Sequence, residues 1–358
     1  MPNASDAPQP TVEDVARAAG VSTATVSRAL NRPQDVRVAL RERVLAAVEQ
    51  LGYVAHAGAR ALSLRRSHTV GVVVPTVDNA IFASGLQAFQ RRLVREGYQV
   101  LLAVSDYDPA QECSQAQALL ARGVDALAFT GLSQQPELMS LLAQRGLPWV
   151  HTGAFPAPQG AACVGFRNRA AMARAVRYLL DLGHRRIGML AGVTRHNDRA
   201  AERVAGVREA LAAAQLTWPA ELLVESPYEL AAAREGARRL LAQQPTALLC
   251  GNDVLAWGAL LECQAQGLPV PAQVSVVGFD DLELSRHWQP ALTTVRVPTE
   301  PMWTLAAEYL LARLAGTQIA PVQQEVAVEL IVRGSTAPPP AARDPDAPPP
   351  RLRATRRR

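Results

Sequence analysis

Thr23, Ala24, Ser27 and Arg28 are the residues whose types and spacing point most directly to a chemistry. On a helix they share the outward face, while Val26, Ala29 and Leu30 face inward. Small polar side chains plus one guanidinium allow close approach to a duplex, hydrogen bonds to base edges and contacts to phosphate. No comparable set exists for catalysis. The chain has no G-x-S-x-G, no G-x-G-x-x-G after a strand and no phosphate loop. Asp280 and Asp281 could mimic a carboxylate pair, but adjacent residues on an extended chain point to opposite faces. Cys113, Cys163, Cys250 and Cys263 form no C-x-x-C pair and lie near no His at zinc-ligand spacing. They are expected to be buried reduced thiols, and neither a metal nor a cofactor is expected.

The elements that must position the outward face are short helices. Thr11-Val-Glu-Asp14 reads as a capping box that starts the first one. Val12, Val15, Ala16 and Ala19 then recur on one apolar face, and Gly20 supplies a left-handed stop. Val21 packs in the turn, and Ser22 caps the second helix. A third helix over about 38–51 presents Val44, Val48 and Leu51, and Gly52 stops it. From Thr69 the pattern changes. Apolar β-rich runs alternate with amphipathic helices: Val70–Pro75, Gln99–Ser105, Val124–Gly131, Trp149–Thr152, Ile187–Gly192, Leu222–Glu225, Ala247–Cys250 and Val274–Phe279. Near-continuous apolar strands separated by helices predict parallel sheets covered on both faces, and the number of units predicts two sheets.

The length of 358 residues suits a small module plus a two-lobed body, and 49 % hydrophobic residues allow a large core. Charge is uneven. Residues 1–66 carry nine Arg against six acidic residues, and residues 337–358 carry six Arg against two. The body between them has 22 Arg and 24 acidic residues, so net basicity belongs mostly to the ends. Every cation is Arg, which suits bidentate contacts. Residues 1–10 and the Pro/Arg-rich 337–358 are expected to be disordered. The absence of a basic and then apolar start, and of any apolar run of about 18 residues, predicts a cytoplasmic protein without a membrane partner.

Thr11-Val-Glu-Asp-Val-Ala-Arg-Ala-Ala-Gly-Val-Ser-Thr-Ala-Thr-Val-Ser-Arg-Ala-Leu-Asn31 resembles the signature of the lactose/galactose repressor family. So do Leu182-Gly-His-Arg-Arg-Ile-Gly-Met-Leu-Ala-Gly192, Arg203-Val-Ala-Gly206, Cys250-Gly-Asn-Asp253 and Val274-Ser-Val-Val-Gly-Phe-Asp-Asp281. The resemblance runs from residue 11 to about 335. It implies an all-α helix-turn-helix DNA-binding domain (11–55), a hinge helix (56–67), and an α/β type I periplasmic-binding-protein-like sensor of two lobes (68–336). The N-lobe would take about 68–168 and 297–326, and the C-lobe about 169–296 and 327–336.

The resemblance places DNA contacts on Thr11, Ser22, Thr23, Ala24, Thr25, Ser27, Arg28 and Asn31. In the hinge it places Ala59 and Arg60 beside Leu62, the side chain that would wedge into the minor groove. Arg65 would hold a phosphate. His56 and Gly58 depart from the family pattern there, and Arg37 departs from it in the turn before the third helix. For the sensor it implies effector contacts from Ile81, Phe82, Arg199, Arg203, Asn252 and Asp280. The segment 31–53 is similar to the gluconate-operon repressor branch, whereas Phe279-Asp-Asp281 follows the wider family. With Arg167, Arg169, Arg195 and Arg199 as additional cations, a sugar-acid effector such as gluconate is expected within the broader class of carbohydrates. The implied protein is a non-enzymatic transcriptional regulator, by family default a repressor. Its partners would be double-stranded DNA with a pseudo-palindromic operator, the effector, and a second copy of itself, with the tetramer left open. A solute-binding protein and a doubly wound enzyme are the competing classes. The first predicts a signal peptide and no helix-turn-helix. The second predicts a catalytic motif.

Overall fold

The computed structural model describes residues 10–54, 66–78, 80–318 and 320–340. The hinge residues Ala59, Arg60, Leu62 and Arg65, and all but the first residues of the basic tail, lie outside these. The chain divides into two compact units, the first built on residues up to Thr69 and the second on the remainder of the body.

The first unit is helical: α1 (Val12–Ala19), α2 (Thr23–Asn31) and α3 (Val38–Leu51). Its start is a complete capping box. The Thr11 backbone N–H donates to Asp14 Oδ2 (3.0 Å), and the Asp14 N–H donates to Thr11 Oγ1 (3.3 Å). Two of the helix's free N-terminal donors are thereby engaged. Gly20 ends α1 at φ 61, and Ser22 Oγ accepts the Thr25 N–H (3.2 Å). Val15, Ala16, Ala19, Val26, Ala29, Val44 and Ala47 form the core of this unit. Its helices pack closely because most of those side chains are small. Arg43 on α3 donates to the Ala19 carbonyl (2.5 Å), satisfying an acceptor at the end of α1.

The second unit contains two six-stranded sheets. The N-lobe sheet uses β1 (Thr69–Val74), β2 (Gln99–Val104), β3 (Ala126–Thr130), β4 (Trp149–Thr152), β5 (Cys163–Gly165) and β11 (Gln323–Glu325). Its order is β11-β5-β4-β3-β1-β2, with β1, β3, β4, β5 and β11 mutually parallel. The C-lobe sheet uses β6 (Ile187–Gly192), β7 (Leu223–Ser226), β8 (Ala247–Cys250), β9 (Ser275–Asp280), β10 (Thr293–Arg296) and β12 (Glu329–Ile331). Its order is β12-β10-β9-β8-β6-β7, with β12 antiparallel to β10. The long apolar strands are those the sequence pattern marks. β5, β10, β11 and β12 are not among them. They have three or four residues each; β11 is polar, β12 has only Leu330 and Ile331 as apolar residues, and neither strand has a fully buried residue.

Helices cover both faces. In the N-lobe they are α4 (Ala80–Val94), α5 (Pro109–Ala121), α6 (Pro136–Gln144) and α12 (Thr299–Ala315). The C-lobe has α7 (Asn168–Asp181), α8 (Asp198–Ala213), α9 (Leu230–Leu241), α10 (Asp253–Ala265) and the short α11 (Glu283–His287). The chain passes between lobes after β5, after β10 and after β11. Ala337, the residue at which composition turns tail-like, is fixed to the body: its N–H donates to Ser275 Oγ (3.0 Å), and its carbonyl accepts from Ser275 Oγ (3.0 Å) and lies 2.9 Å from His184 Nε2.

Candidate functional site

Two groups of sequence-marked residues find different settings. On the helix-turn-helix, Thr23, Ala24 and Arg28 are exposed, while Thr25, Ser27 and Asn31 are half-buried. Some of their polar atoms are used locally. Ser22 and Thr25 hydroxyls bond each other (2.9 Å), Asn31 Nδ2 donates to Ser27 Oγ (3.3 Å), and Arg28 Nε donates to the Ala24 carbonyl (3.2 Å). Thr11 and Ser22 are occupied as helix caps. The outward surface is therefore narrower than the full set of marked residues and centres on Thr23, Ala24 and Arg28.

In the sensor, all six marked residues line one cavity between the lobes: Ile81, Phe82, Arg199, Arg203, Asn252 and Asp280. The cavity encloses about 590 Å³, including its opening to solvent. It lies at the carboxyl ends of the strands, where doubly wound sheets leave a crevice. Phe82 enters from the start of α4. Asn252 follows β8 and caps α10, its Oδ1 accepting the Leu255 N–H (2.9 Å). Asp280 ends β9. Arg203 projects from α8.

Arg203 is held on four sides. Its Nε donates to Asn168 Oδ1 (2.9 Å) and its Nη1 to the Gly251 carbonyl (2.6 Å). The guanidinium lies over the Phe279 ring, 3.7 Å from the centroid, and Nη2 is 3.9 Å from Asp280 Oδ1. Phe279 stacks in turn on Phe166 (6.0 Å). A guanidinium fixed in this way presents its remaining donors in a set direction.

Asp280 is the unusual member. It is buried, it has φ 108, and its Oδ1 makes no hydrogen bond. Burial drives its carboxyl up to about 8, against the pull of Arg203 and with a smaller push from Asp253. Thr130 Oγ1, on the same cavity, is also buried without a partner. Unpaired buried polar atoms cost about 1–3 kcal/mol each and are retained where something else satisfies them. Asp281 contrasts with its neighbour. Its two oxygens accept from Arg296 (2.7 Å) and Arg333 (2.6 Å), tying β10 and the 333–337 segment together. The two carboxylates do separate, although through two left-handed residues (φ 108 and 56) and not through an extended pair. Asp253, just behind, is a structural acid. It accepts from the Leu282 N–H (2.7 Å), Ser285 Oγ (2.7 Å) and Thr294 Oγ1 (2.6 Å), and burial raises its carboxyl to about 6.

Of the additional cations, only Arg199 joins Arg203 at this cavity. Arg167 pairs with Glu325 (3.2 Å) and lies over Phe155, and Arg169 pairs with Glu202 (2.8 Å). Both stay about half exposed, because the turn into α7 directs them outward. Arg195 lines a neighbouring groove. Arg199 bonds Asp198 (2.9 Å), whose other oxygen accepts the Leu132 N–H (2.9 Å) from the opposite lobe. The approach is close enough that a Cβ on Gly131 would meet both side chains. Gly131 (φ 80) is therefore required on two counts, conformation and space. Below it, His151 Nδ1 lies 3.1 Å from the Gly131 carbonyl, and burial lowers the imidazole to about 4.

The cavity has further walls not marked from sequence: Tyr107, Thr130, Phe166, Asn197, Tyr228 and Trp303. Trp303 sits against α4 because Gly85 has no side chain, and meets Phe89 edge-on at 5.5 Å. Three of these six residues follow a strand's carboxyl end within three residues: Tyr107 after β2, Phe166 after β5 and Tyr228 after β7. Strand ends were the available signal for them.

A helix-turn-helix followed by a two-lobed body with a lined interlobe cleft is the architecture of a DNA-binding regulator. Residues 11–56 match the family described as bacterial regulatory proteins, lacI family, and residues 176–336 match a periplasmic binding protein-like domain. The HTH-type transcriptional regulator GntR of Pseudomonas aeruginosa is 36 % identical over 332 residues, 92 % of this chain and 96 % of that protein. The crystal structure of GntR from Chromobacterium violaceum superposes with a TM-score of 0.71 at 34 % identity, covering 75 % of this chain and 99 % of that one. The lac repressor dimer bound to operator and the anti-inducer ONPF superposes with a TM-score of 0.79 at 26 % identity, covering 92 % and 99 %. The chain belongs to the LacI family of DNA-binding transcriptional regulators and is not an enzyme. Among the described residues no helix is long and apolar enough to cross a membrane.

Proposed function

We propose that this protein is a cytoplasmic transcriptional repressor that binds a pseudo-palindromic operator as a homodimer and changes its grip on that operator when a sugar acid occupies the cleft. The carrying observation is the pair of buried oxygens that make no hydrogen bond, Asp280 Oδ1 and Thr130 Oγ1, on a cavity that Arg199 and Arg203 also line. A polyol supplies donors and acceptors for such oxygens, and the apolar faces of Phe82, Phe166 and Trp303 suit the carbon side of a sugar. At neutral pH a carboxyl with its midpoint near 8 is mostly protonated. Two guanidinium groups then outweigh the Asp198 carboxylate, which favours an anionic ligand. Asn252 and Ile81 complete the contact set in this reading.

Thr23, Ala24, Ser27 and Arg28 read the major groove, with Thr25 and Asn31 supporting them and the Thr11 and Ser22 caps facing phosphate. Ala59, Arg60 and Leu62 bind the minor groove, where an inserted apolar side chain unstacks a base step. Effector binding and operator binding then differ in the relative placement of the lobes that they favour. A coupling of about 1–3 kcal/mol makes a useful switch.

Titration calorimetry of the full-length protein with gluconate and with glucose tests the effector. Gluconate is expected to bind, and in a gel-shift titration with DNA from upstream of the gene it is expected to change operator affinity by about 5- to 150-fold. Binding of glucose without gluconate would sink the sugar-acid assignment.

A further inference from the structure

The cleft does not end at the cavity that holds Arg203 and Asp280. A second hollow of about 910 Å³, including its opening, continues it toward β2 and β7, which are the edge strands of the two sheets. Tyr107, Asn197 and Tyr228 line both chambers. The two tyrosine rings face each other across the cleft at 6.2 Å and 42°, forming a constriction between inner and outer space. Asn197 Nδ2 reaches toward the Tyr228 hydroxyl (3.4 Å).

The constriction is held in place by costly backbone. Asp106 (φ 49) and Tyr107 (φ 60) are two consecutive left-handed residues on the N-lobe side, and His196 (φ 57) stands immediately before Asn197 on the C-lobe side. Non-glycine residues in this region are uncommon and cluster at ligand clamps and switches. On the C-lobe side, Gly192 leaves the space that the Tyr228 hydroxyl occupies.

The outer chamber differs from the inner one in charge. Asp78, Asp106 and Glu229 face it with Arg195 as the counter-cation. A second anionic group would be repelled there. Carboxylates accept hydrogen bonds from hydroxyls, and tyrosine rings cover the carbon faces of a sugar, so the chamber suits a neutral polyhydroxylated unit.

We infer that the effector site extends past the Tyr107–Tyr228 constriction into a second subsite, and that the preferred effector carries a neutral sugar unit linked to the head group held by Arg203 and Asp280. This rests on the reading of the interlobe cleft as the effector site.

The experiment is titration calorimetry of the full-length protein with gluconate and with 4-O-glucosylgluconate, in the wild type and in Glu229→Gln and Arg195→Ala variants. The two-unit acid is expected to bind at least about tenfold tighter than gluconate, equivalent to about 1.4 kcal/mol. Each variant is expected to reduce that advantage severalfold while leaving gluconate affinity within about twofold of wild type. Equal or tighter binding of gluconate alone, or an advantage unaffected in both variants, would overturn the extended site and leave the cleft reading standing. Circular dichroism of both variants separates a lost subsite from a lost fold. Failure of both acids, and of glucose and maltose, to bind would overturn the cleft reading and the extended site together.

Discussion

In the helix-turn-helix, the polar residues that matter are spaced by the helix period and lie at the surface, so neighbours in sequence are neighbours in space. In the cleft they are mostly buried, come from strand ends and a helix as far apart in the chain as Thr130 and Asp280, and meet only because two sheets face each other. The module rests on a core of seven small or medium side chains and satisfies its helix ends locally through Thr11, Asp14, Ser22 and Arg43. The cleft leaves Asp280 and Thr130 unsatisfied inside a large core. One region keeps its donors available by exposing them, at little cost. The other keeps them available by withholding partners, at a cost in stability that a ligand can recover.

The largest expected effect sharpens this contrast. Arg203→Ala removes the cation facing Asp280 and the donors to Asn168 and Gly251. With the buried Asn168 and Gly251 acceptors left without those donors, the sensor should lose on the order of 3 kcal/mol of stability and bind gluconate at least about a hundredfold more weakly. Thermal unfolding and calorimetry check both. Operator affinity in the absence of effector should change far less, and a comparable loss there would break the separation of roles.

Next comes the exposed face. Arg28→Ala should weaken operator binding by about 1–3 kcal/mol, roughly 5- to 150-fold, in a gel-shift titration. Sensor unfolding and gluconate affinity should be unchanged, because Arg28 is exposed and hydrogen-bonds Ala24 of its own helix.

The third test is pH. Asp280 and Asp253 have raised folded-state values of about 8 and about 6, so each contributes stability that is present below its unfolded value near 3.8 and is lost as pH rises through the folded one. His151, lowered to about 4, works the other way: its contribution grows as pH rises from about 4 to its unfolded value of 6.5. The opposing changes overlap below pH 6.5. Above it Asp280 acts alone among these three, so the melting temperature of the sensor should fall by a few degrees between pH 6.5 and 8.5. Asp280→Asn should flatten that slope. Gluconate affinity should fall over the same range, as ionised Asp280 repels the ligand carboxylate.

The smallest effect lies in the module. Thr11→Ala removes one half of the capping box and should cost about 1 kcal/mol, read as roughly fivefold faster amide exchange in α1. The sensor amides should not respond.

How much was legible follows the same division. The capping box, the Gly20 stop, the inward Val26 and Ala29 and the outward Thr23, Ala24 and Arg28 all follow from spacing within about 20 residues, and the structure places them as the spacing implies. The long apolar strands of both sheets were legible for a related reason, since a strand buried on both faces must be apolar throughout. The short, poorly buried strands β11 and β12 were not, because pairing rather than an apolar run makes them strands. Arg199, Arg203, Asn252 and Asp280 were marked by family resemblance and share one cavity. Arg167 was marked alongside them as a nearby cation, yet the turn into α7 sends it to Glu325 on the surface. Tyr107 and Tyr228 went unmarked, because neither belongs to a motif.

By itself, the sequence determined the kind of protein: a capped helical module with an outward reading face, joined to an alternating α/β body of two sheets. Those features depend on local periodicity and on chain order, which a linear string contains. Tertiary structure alone decided which of two adjacent acids is available. Asp281 is neutralised by Arg296 and Arg333, brought in from 15 and 52 residues away, whereas Asp280 is turned into a desolvated cavity opposite Arg203. Desolvation and pairing depend on distances through space, so two identical carboxylates side by side in the chain acquire opposite roles.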